Sequence, residues 1–454
     1  MNSKTGPQAT HRRPATAGYP GLVLCSLFLF SGFVQAGPAI QHWTTENGAR
    51  VYFFPAPQLP IIDIETIFDA GSARDDQLPG LARLTSELLD QGAGNMTADQ
   101  IAERFDNVGA RFSSASERDM ATISLRTLSD DEALKPALET MAHILAEPSF
   151  PAASLERIRQ NMLVDLQTRH QSPGDIASDA FYAALYRNHP YGSPPQGTEK
   201  SLSQINRHDV IAFHRRYYVA NNAVVAIVGD LTRTEAENVA DLLTASLPEG
   251  QAAPALPVVP PRTSPETIRI DFPSSQTHVL IGQPGMSRDD PDYFTLYVGN
   301  HVLGGSGFVS RITEEVREKR GLSYSAYSYF IPMHRSGPFM IGLQTRNDQT
   351  GTAIQVANDT VRHFVTDGPS TSELKASKQN ITGGFPLRLS SNSKMVDYLG
   401  MIGFYRLPLD YLDTFTDKVE AVSTRNIRTA FKQRVHPETM VTVLVGGDTL
   451  TAGQ

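Results

Sequence analysis

The sequence predicts an α+β protein built from two tandem copies of one α/β unit, and three observations carry that reading. The hexapeptide Gly71-Ser72-Ala73-Arg74-Asp75-Asp76 recurs 214 residues later as Gly285-Met286-Ser287-Arg288-Asp289-Asp290. The apolar run Val224 to Asp230, VVAIVGD, recurs at nearly the same offset as Val441 to Asp448, VTVLVGGD; two matches in register mark a duplication. Between the copies lies GQAAPALPVVPPRTSP, residues 250–265, whose prolines favour an extended linker. The chain is therefore expected to divide into a removable leader at 1–36, an N-terminal domain at 37–249, the linker, and a C-terminal domain at 266–454.

The leader is read from its own pattern. Lys4, Arg12 and Arg13 precede an apolar run, Gly21 to Val34, that is too short to span a bilayer, and Val34-Gln35-Ala36 has the spacing of a cleavage site. A secretory signal ending at Ala36 implies an exported chain, periplasmic if the source is Gram-negative. Its removal takes away Cys25, the single cysteine, and those three cations, so the formal net charge goes from −8 to −11. The mature chain then has no disulfide and no thiol chemistry, and depends on core burial, for which 454 residues at 40% hydrophobic content suffice. The acidic balance argues against nucleic acid and anionic membrane surfaces as partners, and is compatible with cationic or unfolded peptides. No later run is apolar enough to cross a membrane.

Taken in order, Asn47-Gly48 signals a hairpin turn, with strands at 49–54 and 61–68. Pro79-Gly80 opens a helix, Leu81 to Gln91, with Leu81, Leu84 and Leu88 on one face. Thr97 with Gln100 and Ser129 with Glu132 read as capping boxes that start two more helices, the second ended by Pro148. Strands are expected at 110–114 and 120–125, a helix at 154–169, and a buried strand at 223–228. In the second copy Ser310 to Lys319 has helical character, Gly321 sits where a left-handed cap is expected, and 322–330 reads as a strand.

The last stretch, EEVREKRGLSYSAY at 314–327, brings Arg317 and Tyr324 onto adjoining elements. A guanidinium and a phenol placed so can converge on one oxygen, a fixed cation beside a neutral donor, which is one way to build a carbonyl or oxyanion clamp. The other reading is an Arg on a solvated helix end and a Tyr packed in a sheet. Leu303-Gly304-Gly305-Ser306-Gly307 could approach a ligand, but it lacks the Lys-Ser/Thr of a phosphate loop, and a turn into the next helix serves equally. No two of the twelve histidines are closer than His208 and His214, which leaves no local i, i+3 or i, i+4 histidine pair for a metal.

With GLARLTSELLDQGA in one copy, VREKRGLSYSAY in the other, and both Asn188-His189-Pro190-Tyr191-Gly192 and Gly197-Thr198-Glu199, the chain resembles the insulinase/pitrilysin family of zinc peptidases over nearly its whole mature length. The resemblance implies two α/β-roll domains, each an antiparallel sheet flanked by helices. In active members the first helix carries H-x-x-E-H, two His on one helix face with a Glu as general base, and a distant Glu completes the metal site. Here Arg83 stands at the first His, Ser86 at the base, Glu87 at the second His, and Asp165, 78 residues beyond Glu87, at the distant Glu. A cation at a ligand position repels Zn²⁺ and a Ser is no base near neutral pH, so no catalytic zinc is expected in this chain. Taken alone, Arg83 and Glu87 read as an i, i+4 ion pair.

The family's second half supplies an Arg and a Tyr spaced R-x6-Y that act on the substrate carbonyl, and Arg317 and Tyr324 match that spacing. Some bacterial members divide the work between a zinc-bearing chain and one with the Arg/Tyr pair. The resemblance thus implies a zinc-free subunit, inactive alone, that pairs with a homologous zinc-bearing subunit to hydrolyse peptides or unfolded proteins. The alternative is a catalytically inactive peptidase fold used as a peptide-binding or scaffold module.

Overall fold

The duplication shows first in the strand pairing. The computed structural model describes residues 39–447; the expected signal with Cys25, and Asp448 of the second repeat, lie outside them. The strands are β1 (Gln41–Thr44), β2 (Arg50–Pro55), β3 (Ile61–Phe68), the short pair β4 (Gly92–Ala93) and β5 (Met96–Thr97), β6 (Arg111–Ser116), β7 (Ala121–Leu128), β8 (Ala223–Gly229), β9 (Glu266–Asp271), β10 (Gln276–Pro284), β11 (Ser323–Phe330), β12 (Pro338–Arg346) and β13 (Val441–Gly446). One sheet runs β1-β2-β8-β3-β7-β6, the other β11-β12-β10-β13-β9.

Reading β2, β3, β6, β7 and β8 against β9, β10, β11, β12 and β13, the two patterns coincide. β2 pairs parallel with β8 as β9 does with β13, and the remaining neighbours in each sheet are antiparallel. The sequence led to an antiparallel expectation; the one parallel pair in each sheet follows from the long helical crossover that separates its two strands. Both hexapeptide repeats directly follow equivalent strands, β3 and β10. The repeated apolar runs form β8 and β13, and every residue of β8 is buried.

Local signals placed most elements, with two corrections. Thr97 and Gln100 form the expected capping box, whereas the helix Asp131–Ala146 is capped by Asp130, whose carboxylate accepts from Ala133 N–H. Ser129 cannot serve, because its hydroxyl donates to Asp230 instead. The expected helix at 310–319 is a single α turn, Arg311–Thr313, followed by a wider π turn, Glu314–Glu318. Thr313 Oγ1 donates to Ala326 O at 3.0 Å and ties this segment to β11.

The two halves exchange helices. Asn392–Phe404, from the second half, lies across β8, β3 and β2 of the first sheet, and Pro173–Tyr186, from the first half, lies on β13 and β10 of the second. Tyr52, Ile67, Val224, Ala226 and Val228 consequently share one core with residues of the second half. Close approach requires glycine on the incoming helix: a Cβ at Gly400 would lie 2.5 Å from Ile67 Cδ1, and one at Gly403 2.5 Å from Val224 Cγ1. Residues 250–263 have no regular structure, but Leu256 and Val259 are buried against Phe181 and its neighbours.

Beneath the exchanged helix, Glu65 of β3 meets Asp397. Burial, then the hydrogen bond and charge of Asp397, push the Glu65 carboxyl up from 4.5 to about 8. A carboxyl whose folded pKa is raised stabilises the fold fully below its unfolded value and loses that contribution as pH rises through the folded one. Stability should therefore fall between about pH 5 and pH 8. Asp75, raised chiefly by burial, adds to the fall with the same sign. Glu65→Gln should flatten the slope without abolishing it, as read by denaturant midpoints across that range; an unchanged slope would show that Glu65 is already ionised in the fold.

Candidate functional site

The helix Leu81–Leu88 turns Leu81, Leu84 and Leu88 into the core, as its period predicts, and leaves Arg83 and Glu87 on the opposite face. Its start is fixed by a residue the sequence did not single out. Asp75, buried in the first hexapeptide, accepts from Gly80 N–H at 2.8 Å and Ala82 N–H at 2.7 Å, satisfying amides that open a helix without intrahelical partners. The Gly197-Thr198-Glu199 segment packs on the same turn: Ser201 Oγ, reciprocally capped with Thr198, donates to Pro79 O at 2.7 Å.

The four residues at the metal-motif positions converge on a cavity of about 460 Å³, lined also by Ser114 to Ser116 of the edge strand β6, Arg169 and Gln196. Arg83 occupies its centre. Nε donates to Glu87 Oε1 at 2.6 Å, Nη2 to Asp165 Oδ2 at 2.8 Å, and Nη1 to Gln196 Oε1. The i, i+4 pair is therefore present, and the register that placed Asp165 opposite the helix is correct. Burial opposes the Arg83 charge, but the hydrogen bond to Asp165 and the charge of Glu87 outweigh it, and the guanidinium is held above its ordinary range. Ser86 is buried, its carbonyl accepts from Ser114 Oγ at 2.9 Å, and its hydroxyl has no protein partner among the described residues.

This donor set does not fit zinc. A tetrahedral site needs three or four neutral-nitrogen, thiolate or carboxylate donors, and here a permanent cation stands among the donors and is hydrogen-bonded to both carboxylates. Among the described residues no group of three or more His, Cys, Asp or Glu side chains is placed to hold a metal.

Arg317 and Tyr324 also come together, but face to face. The Arg317 guanidinium carbon lies 4.8 Å from the Tyr324 ring centroid and 4.6 Å from that of Phe308, within cation–π range of both rings, and Nε is 3.4 Å from Glu318 Oε1. Tyr324 is 84% exposed, so the reading of a Tyr packed in the sheet is wrong. The tight turn is built as expected: Gly321 is left-handed at φ 62°, its N–H reaches Arg317 O, and Leu322 N–H reaches Val316 O. The glycine-rich stretch makes a π turn, His301–Gly305, in which a Cβ at Gly304 would meet the Ser328 backbone N at 2.4 Å. That glycine serves close packing on β11, and the segment delivers Phe308, which sequence reasoning had passed over.

The segment 188–192 turns out to be a junction between the halves. Tyr191 is buried, and its hydroxyl donates to Asp119 Oδ1 at 2.5 Å while accepting from Arg335 N–H at 3.0 Å. Asp119 Oδ2 accepts from His334 N–H at 2.7 Å and from the Tyr405 hydroxyl at 3.1 Å. His189 Nε2 pairs with Pro257 O of the linker at 2.9 Å.

The comparisons agree with this architecture. Residues 57–199 match the family model described as Insulinase (Peptidase family M16), and residues 204–381 the one described as Peptidase M16 inactive domain. The crystal structure of a peptidase M16 inactive domain from Pseudomonas fluorescens is 39% identical, covering 90% of this chain and 98% of that one, with a TM-score of 0.87. The chain belongs to the insulinase, or M16 peptidase, family. A protease from Helicobacter pylori, 18% identical, superposes over 90% of this chain and all of its own with a TM-score of 0.82, a likeness of fold. The uncharacterized zinc protease YmxG of Bacillus subtilis is 26% identical over 358 residues, 78% of this chain and 86% of its own.

If Arg83 is the counter-ion of both carboxylates, Arg83→Ala leaves Glu87 and Asp165 facing each other. Both are substantially solvated, so the cost should be small, about 1 kcal/mol or less by denaturant unfolding. A cycle with Asp165→Ala should show coupling of about 0.5 kcal/mol; strict additivity would mean that the bridge contributes nothing.

Proposed function

We infer that this chain is the zinc-free subunit of an exported, two-chain zinc peptidase of the M16 family. The carrying observation is the contrast between its two sites: Arg83 bridges Glu87 and Asp165, while Arg317, partly buried, stays adjoining an exposed Tyr324. Export rests on the signal pattern of residues 1–36. The partner would be a homologue with an intact H-x-x-E-H, which carries the metal and the general base.

The role of this chain is then to bind and orient. As a peptide carbonyl is attacked, negative charge grows on its oxygen, and a phenol and a guanidinium placed beside it stabilise that charge more than the ground state. Contacts of Arg317 with both the Phe308 and the Tyr324 ring restrict the cation in advance, which limits reorganisation during reaction. A partner that covers the exposed Tyr324 would exclude water and strengthen both donors. Peptides or unfolded segments are the substrate class. Among the described residues no helix is long and apolar enough to cross a membrane.

Co-expression with such a homologue should give a one-to-one complex by light scattering, active where each chain alone is not. In that complex Tyr324→Phe, which keeps the ring stack and removes the hydroxyl, should lower kcat about 100- to 1000-fold with assembly unchanged. Arg317→Ala should also raise KM, since the cation can hold ground-state substrate. Full turnover by Tyr324→Phe on several peptides would remove the clamp and leave the scaffold or peptide-binding role as the better account.

A further inference from the structure

At the seam between the halves a second cavity, of about 310 Å³, collects Arg50, Arg74, Arg335, Arg406, Asp69 and His334. Its walls come from three parts of the chain: β2 and the turn after β3, the linker at 252–256, and the second half through residues 334–335 and 404–406. Asn222 knits them together, donating to Asp69 O at 3.1 Å and accepting from Ala253 N–H at 3.1 Å.

The charges do not balance. Asp69 is the one carboxylate in the wall, and it is used by Arg74 in a two-pronged pair at 2.7 and 2.6 Å. Arg50, Arg335 and Arg406 have no carboxylate within ion-pair distance among the described residues; Arg50 Nη1 donates to Gly403 O and Arg335 Nε to Leu256 O, both backbone carbonyls. Asp119 stands behind His334 but already accepts from three donors. His334 is kept neutral by burial, so it adds no charge.

The end of helix Asn392–Phe404 accounts for part of this, since its last carbonyls attract cations. It does not account for Arg335, and Arg406, just beyond that helix end, holds φ 54°, a left-handed position that favours glycine. Burial lowers the Arg50 pKa, Tyr52 opposes it by charge and hydrogen bond, and the nearby Arg406 charge adds to the lowering. In a chain of net charge −8, three guanidiniums without a carboxylate partner among the described residues thus gather around one hollow, two of them partly buried and Arg406 exposed, a concentration of positive charge that favours an anion.

We propose that this seam cavity binds a small, multiply charged oxyanion, of phosphate or polycarboxylate type. Guanidinium forks match both groups, which present paired oxygens to paired N–H donors. Because both halves and the linker supply the walls, an occupant would also brace the junction.

The test is calorimetric titration of the purified full chain with pyrophosphate and, separately, with citrate, at an ionic strength fixed by sodium chloride. One-to-one saturable binding of either is expected, and the tighter of the two identifies the oxyanion type. Arg406→Gln and Arg335→Gln should each weaken it about tenfold, the loss expected for one charge-assisted hydrogen bond. Arg346→Gln, which removes an exposed cation paired with Asp348 at the end of β12 remote from Arg335, should leave it unchanged. Arg406 is exposed, so its variant should keep the wild-type circular dichroism spectrum. Absence of saturable binding, heats that follow ionic strength alone, or equal affinity in both cavity variants would overturn the proposal.

Discussion

A single buried carboxylate holds the two halves in register. Asp119, in the turn between β6 and β7, is 3% exposed and receives the Tyr191 and Tyr405 hydroxyls and the His334 amide. These donors come from the segment after one exchanged helix, the residue after the other, and the loop between β11 and β12. An unpaired charge at this depth would cost several kcal/mol, so the partners must arrive together. Burial, followed by the Asp119 charge, holds both phenols far above their ordinary range, which keeps them protonated as donors. Helix exchange and this junction reinforce each other: displacing either helix would strand the carboxylate.

On that frame the degenerate metal position is a finished structure. The helix start set by Asp75, the edge strand β6 and the facing Asp165 bring the motif positions together, and Arg83 fills the space between them with a charge of opposite sign to its neighbours. The proposed role of this chain accordingly rests on Arg317 and Tyr324 in the second half. There, two π turns flank the delivery of Phe308 and Arg317, and such widened turns recur where a side chain must be aimed out of a helix.

What was legible in the sequence was local or repeated. The 214-residue repeat predicted two sheets of like topology, the leucine period set the buried face of the first helix, and Gly321 was recognised by the left-handed turn that it makes. The family resemblance, which set Asp165 at the position of the distant Glu, anticipated its approach to the first helix. What stayed hidden was set by distant partners. Nothing near Asn392 or Pro173 announces that these helices cover the opposite sheet. Gln196 and Asp119 are ordinary polar residues until the fold brings Arg83 and Tyr191 to them. Ser129 lost its capping role to a contact with Asp230, 101 residues away. The contact of Arg317 with Phe308 also lay beyond reach, since that ring arrives from another turn.

The central claim is that Arg83, on a preserved scaffold, is what excludes the metal from this chain. Elemental analysis of two purified proteins after dialysis against zinc tests it most directly: the natural chain, and one in which Arg83→His, Ser86→Glu, Glu87→His and Asp165→Glu restore the family motif. The account predicts no stoichiometric zinc in the first and close to one zinc per chain in the second. One tightly held zinc in the natural chain, lost on Asp165→Ala, would contradict it.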